Sequence, residues 1–168
     1  MTVILGIDPG SRITGFGVIR MGRQRAEYVH SGCIVVGDLP FPERLCGIFD
    51  GLTNVVNEFS PVEAAIEKVF MQRNVESALK LGHARGAAML AVAKLALSVH
   101  EYSPNSIKQA IVGRGHADKA QIQHMVRALL NLDTTPPADA SDALAIALCH
   151  AHTRQGLNAL IASGRRSA

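Results

Sequence analysis

Two apolar runs end in an acid. Asp8 closes VILGID and is followed by Pro9 and Gly10, while Glu67 closes VEAAIE. Two more acids, Asp139 and Asp142, lie three residues apart in ADASDALAIALCHAH, on one face of a helix and about one turn from each other. Ordinary structural roles exist for three of them. Asp139 could cap the helix, Asp142 could complement its dipole, and Asp8 could serve the turn at Pro9-Gly10. Glu67 is harder to dismiss, because it ends a buried strand and carries no turn signal. Carboxylates gathered at one place repel each other unless a cation lies among them. Hard oxygen donors without a Cys/His set suit Mg²⁺ or Mn²⁺.

Such acids converge if the strands that carry them are parallel neighbours, because sites in open α/β sheets lie beyond the carboxyl ends of the strands. The pattern predicts strands over 3–8, 14–20 and 26–36, the last two joined at Gly22-Arg23-Gln24. A helix follows over 43–59, with Leu45, Ile48, Phe49, Leu52, Val55, Val56 and Phe59 on one face. A strand at 62–67 leads to a helix entered through Asn74 as N-cap and running to about Leu97. VHEY at 99–102 is a further strand. Helices are expected from Pro104 to Val112, over 118–131 and over 138–153, and residues 154–168 are expected to fray. A three-strand meander followed by strands alternating with helices implies an α/β mixed sheet with helices on its faces. The expected organisation is one domain over 1–153.

Composition narrows the partners. The chain has 168 residues, 48% of them apolar and 18% charged, which excludes a disordered chain. No segment has the roughly 20 uninterrupted apolar residues of a membrane span, and MTVILGIDPGSR lacks the features of a secretory leader. Cys33, Cys46 and Cys149 form no close pair, which argues against a disulfide framework and a thiolate zinc site. A cytoplasmic protein is expected. Net charge is +3, but residues 68–127 hold nine Lys/Arg against three acids. That basic middle third points to an anionic partner such as nucleic acid, although a solvated face would have the same composition. His83, His100, His124, His150 and His152 show no spacing that supports a metal site.

ILGIDPGSRITGFGVI, AIEKVFMQRNVESALKLGHARG and ADASDALAIALCHAH resemble the RuvC family of Holliday-junction resolvases, in the family's order and spacing over about residues 3–153. The resemblance implies a ribonuclease H-like fold with helices on both sheet faces. It also implies a homodimer that uses divalent metal to nick four-way DNA junctions symmetrically in homologous recombination and repair. RuvA and RuvB are the implied branch-migration partners. Asp8, Glu67, Asp139 and Asp142 match the family's metal-binding acids, although some relatives have histidine at one of the last two positions. Two Mg²⁺ ions, roughly 3.5–4 Å apart, would activate a water, neutralise the phosphate and stabilise the leaving oxygen. Asp8 is then the expected bridging ligand, with Glu67 on one ion and Asp139 and Asp142 on the other.

Lys108 and Lys119 match positions that the family uses to hold the DNA backbone, although each sits early in a polar-faced helix where a solvated lysine fits as well, and Arg73 and Lys80 are further candidates for DNA contact. Phe70 is either a core plug or, as the resemblance suggests, an aromatic that stacks on an unpaired base. Gly82 and Gly86 give the 74–97 helix a smooth face suited to a dimer contact, at roughly 1 kcal/mol per glycine relative to alanine. GIDPGSRITGFGVI also looks like the phosphate-binding hairpin of sugar-kinase and actin-like ATPases. Those enzymes usually need two related domains, and the DASDA helix has no role in them.

Overall fold

The first strand shows the logic of the whole sheet. In β1 (Thr2–Asp8), Leu5 and Ile7 point to one face while Ile4, Gly6 and Asp8 point to the other. Ile4, Leu5 and Ile7 are all fully buried, because both faces are covered. This is why VILGI reads as a continuous apolar run rather than an alternating one. The computed structural model describes residues 1–22, 25–68, 74–113, 115 and 117–164.

β2 (Ile13–Met21) and β3 (Ala26–Val35) complete an antiparallel meander with β1. The chain then crosses through α1 (Phe41–Phe59) to β4 (Glu63–Glu67), and through α2 (Val75–Lys94) to β5 (Ser98–Tyr102). β4 lies parallel to β1, and β5 parallel to β4, giving the order β3-β2-β1-β4-β5. Three helices finish the chain: α3 (Pro104–Val112), α4 (Lys119–Leu129) and α5 (Ala138–Gly164). This is the α/β mixed sheet that the sequence pattern predicts, in the ribonuclease H-like arrangement that the family resemblance implies.

Two cores result, one on each face of the sheet. Ile48, Leu52, Val55 and Val56 of α1, with Ala84, Ala88, Ala91 and Val92 of α2, cover Leu5, Ile7, Phe16, Val18, Ala64 and Ile66. On the other side, α3, α4 and α5 cover Ile4, Ile19 and Ala65. Asn74 caps α2 as expected, accepting from the Ser77 amide at 3.2 Å. Asp118 caps α4 through a capping box with Gln121.

Two expectations change. Asp139 is not the cap of α5 but lies inside its first turn, one residue past Ala138. The helix also runs to Gly164, past its predicted end at residue 153. Beyond 153 the apolar face fades, but Gln155, Leu157, Ala159, Leu160 and Ala162 are strong helix formers, so propensity carries the helix on.

Candidate active site

Strand register brings the first two acids together. Ile4 to Ile7 pair in parallel with Glu63 to Ile66, so the next step sets Asp8 beside Glu67. By alternation both side chains project to the α5 side. The turn after Asp8 is pinned by Thr14, fully buried, whose hydroxyl donates to the Gly10 carbonyl at 3.0 Å.

Glycines bring the second pair of acids to the first. A Cβ on Gly15, which faces Asp8 in the β1–β2 ladder, would lie 2.0 Å from the Asp139 carbonyl oxygen. A Cβ on Gly6 would lie 2.0 Å from the Ala143 carbonyl. Only glycine permits α5 to rest backbone-on-backbone against the sheet. The helix therefore delivers Asp139 and Asp142 to the carboxyl ends of β1 and β4.

Asp8, Glu67 and Asp142 line one cavity of about 250 Å³ with Lys108 of α3 and Lys119 of α4. All four acids are half-buried. Burial pushes the Asp8 carboxyl up to about 7, with Asp142, Glu67 and Asp139 adding to the rise and Lys119 opposing it. Glu67 is raised too, by burial and then by Asp142, against Lys108 and Lys119. Lys119 Nζ lies 2.8 Å from Asp142 Oδ2, and that hydrogen bond is the main reason its own pKa is raised. A larger groove of about 610 Å³, bounded by Tyr28, Ser31, Asn131 and Asp133, holds none of the four acids.

Other candidates separate from this group. Lys80 is exposed on α2 and pairs with Glu76 at 2.5 Å, away from the cavity. Phe70 and Arg73 lie outside the described residues. Arg85 was not singled out for the site, yet its Nε donates to the Glu67 carbonyl at 3.0 Å while its guanidinium pairs with Glu101. It ties the end of β4 to α2 and β5. Nothing in linear spacing links residues 67 and 85; only the fold brings them into contact. The histidines, too, are grouped by the fold and not by linear spacing. Among the described residues, His100 and His150 meet Glu63 so that three ligand atoms lie within 4.8 Å of one another.

The family model for Crossover junction endodeoxyribonuclease RuvC matches residues 4–150. The chain belongs to the RuvC family. A RuvC from Marinobacter nauticus is 57% identical over 164 residues, covering 98% of this chain and 94% of the relative. RuvC from Aeromonas salmonicida is 57% identical over 157 residues, covering 94% and 91%. Among solved structures, Thermus thermophilus RuvC in complex with Holliday junction substrate superposes with a TM-score of 0.86 at 38% identity, covering 93% of this chain and 97% of that one. The RuvC match spans both halves of the acid set, from β1 to α5. No helix among the described residues is long and apolar enough to cross a membrane.

Proposed function

We propose that this chain is a metal-dependent endonuclease that resolves four-way DNA junctions by paired symmetric nicks, in recombination and repair. The observation that carries the reading is the convergence of strand-end and helix-start carboxylates on one cavity, in a chain of the RuvC family. The cavity, at about 250 Å³, is smaller than the roughly 300–1,000 Å³ of sites that enclose organic ligands. It has room for ions and a phosphate, which argues against an enclosed nucleotide.

The donor set fits hard divalent cations. Oxygen ligands dominate it, and Asp8 is raised to about 7 because burial, and then its negative neighbours, disfavour another charge. Asp8, Glu67, Asp139 and Asp142 would hold two Mg²⁺ ions, with Mn²⁺ as a substitute. Bound there, the ions supply charge neutralisation at the phosphate and a more acidic water. The remaining work belongs to the chain. Lys119 is ion-paired with Asp142 and presents a cation at the rim, and Lys108 offers phosphate contact from the other side. Thr14 and Arg85 fix the turn after Asp8 and the end of β4, so the acids are preorganised. Phe70 is assigned to stacking at the junction centre, and Arg73 and Lys80 to backbone contact.

Symmetric nicking needs two such sites, and a homodimer supplies them. Val75, Leu79 and Leu90 are exposed on α2 along a stripe with Gly82 and Gly86, whose Cβ positions meet nothing within 4 Å. That stripe is the proposed dimer contact. RuvA and RuvB are the proposed partners for branch migration, and the cytoplasm the proposed location. The test compares Mg²⁺-dependent cleavage of a four-way junction with that of a linear duplex of the same arms. Paired nicks in the junction and none in the duplex are expected. Equal cutting of both, or none with Mg²⁺ or Mn²⁺, overturns the reading.

A further inference from the structure

A second cluster of ligand groups lies on the same side of the sheet, at the far end of β4. Glu63 opens that strand, four residues and roughly 13 Å before Glu67. In β5, His100 pairs with Ala65 and Tyr102 with Glu67, so both share the face of Glu63. His150 comes from α5, eight residues and about 12 Å beyond Asp142. A carboxylate oxygen of Glu63 and one ring nitrogen each of His100 and His150 all lie within 4.8 Å of one another.

The surroundings hold His150 and Glu63 in place. His150 is 3% exposed, with Nδ1 2.7 Å from the Tyr102 hydroxyl and Nε2 2.7 Å from Glu63 Oε2. Glu63 Oε1 is taken by Arg154 at 3.1 Å, which leaves Oε2 for the histidine side. The His100 ring stacks 4.3 Å from that of His150 and is exposed, so it gives the cluster an opening to solvent.

We propose that Glu63, His100 and His150 form a transition-metal site, selective for Zn²⁺ over Mg²⁺ and separate from the carboxylate cavity. Two imidazoles and one carboxylate, with a position left for water, are a zinc donor set, whereas Mg²⁺ prefers oxygen ligands. A ligating histidine must be neutral, and burial lowers the His150 pKa despite the opposing hydrogen bond from Glu63. Its far nitrogen is already held by Tyr102, the kind of outer contact that fixes a metal ligand's tautomer and ring orientation.

The proton balance closes within the cluster. Without metal, Nε2–H donates to the Glu63 carboxylate and the Tyr102 hydroxyl donates to Nδ1. With metal, the Nε2 lone pair binds the ion, the imidazole proton resides on Nδ1, and Nδ1–H donates to the Tyr102 oxygen. His150 stays neutral and releases no net proton. The 2.7 Å between Nε2 and Oε2 must open to roughly 3.3 Å, the spacing of adjacent ligands on a tetrahedral ion about 2.0 Å from each. His100 turns its exposed ring to complete the set. The ion then clamps α5 to β4 and β5. This inference does not depend on the nuclease reading.

The experiment is calorimetric titration of ZnCl₂ into the full chain carrying Asp8→Asn and Glu67→Gln, which removes the carboxylate site from competition. One Zn²⁺ per chain is expected, with a raised melting temperature. NMR of the imidazole nitrogens should follow His150 from the Nε2–H to the Nδ1–H tautomer, and Mg²⁺ should produce neither effect. Tyr102→Phe should weaken Zn²⁺ binding about 10–100-fold, and His100→Ala, a change at an exposed position, should weaken it further. Zn²⁺ binding unchanged by His100→Ala overturns the proposal. So does failure of the folded double variant to bind Zn²⁺ at micromolar concentration.

Discussion

Asp8 experiences the strongest conflict of any carboxylate in the cavity, and its protonation has consequences for both stability and activity. Its pKa is raised to about 7 from an ordinary 3.8. Between those values the folded chain retains a proton that the unfolded chain has shed. Metal-free stability therefore falls as pH rises from about 4 through 7, and changes little from this source above that. After screening by solvent at the half-buried rim, the effect is on the order of 1–2 kcal/mol, or roughly 2–8 °C in melting temperature. Asp8→Asn should raise the melting temperature in EDTA at pH 8 by that amount and leave it nearly unchanged at pH 4. The same substitution, like Glu67→Gln, should abolish cleavage while leaving junction binding in EDTA intact, as gel-shift and nicking assays would reveal. Activity within a few-fold of wild type would remove that residue from the mechanism. Arg85→Ala is a positioning change: it leaves the Glu67 carbonyl without its charged donor. Loss of about 1.5–3 kcal/mol in urea unfolding is expected, together with a shifted Mg²⁺ dependence of cleavage that Arg85→Lys partly restores.

Among the elements, α5 matters most, because its contact with the sheet places half of the acid set. Gly6→Ala or Gly15→Ala drives a methyl against a helix carbonyl with no flexible side chain to yield. Each should cost about 1–3 kcal/mol by overpacking, and should reduce cleavage more than junction binding because the helix start moves away from Asp8. Urea melts beside cleavage rates would check this. The short apolar runs VILGI and VEAAI marked the strands, and the acids at their ends marked the candidate site. The Asn74 cap was legible because capping is local. Long-range contacts were not: the Arg85–Glu67 bond and the Glu63–His100–His150 group join elements through strand register, which no window along the sequence contains. The continuation of α5 past residue 153 was missed because amphipathic patterning ends there while helix propensity does not.

For the molecule as a whole, the two-site requirement and the basic surface make separable predictions. Gly86→Leu finds open space within the chain, so the fold should tolerate it. The proposed dimer contact should not, and sedimentation should detect more monomer. On a cruciform plasmid, single nicks should then accumulate at the expense of linear product. A folded monomer that still linearises the plasmid efficiently would sink the two-site argument. Lys108→Ala and Lys119→Ala should leave the dimer intact. Each should flatten the salt dependence of junction binding by about one unit of log–log slope, measured by fluorescence anisotropy across a salt series.

The glycine contacts beneath α5 also govern which protons can leave the protein. With no layer of side chains between helix and sheet at Gly6 and Gly15, a small local displacement cannot admit water there; the helix must lift as a unit. Deuterium should therefore enter the amides of β1 and of Ala143–Ala147 only through global opening, at a free energy equal to that of unfolding. Amides of α3 and α4, which carry Lys108 and Lys119 at the cavity rim, should exchange through smaller openings. Accommodation of a DNA strand would then fall to those two short helices, while the frame that carries the acids stays closed.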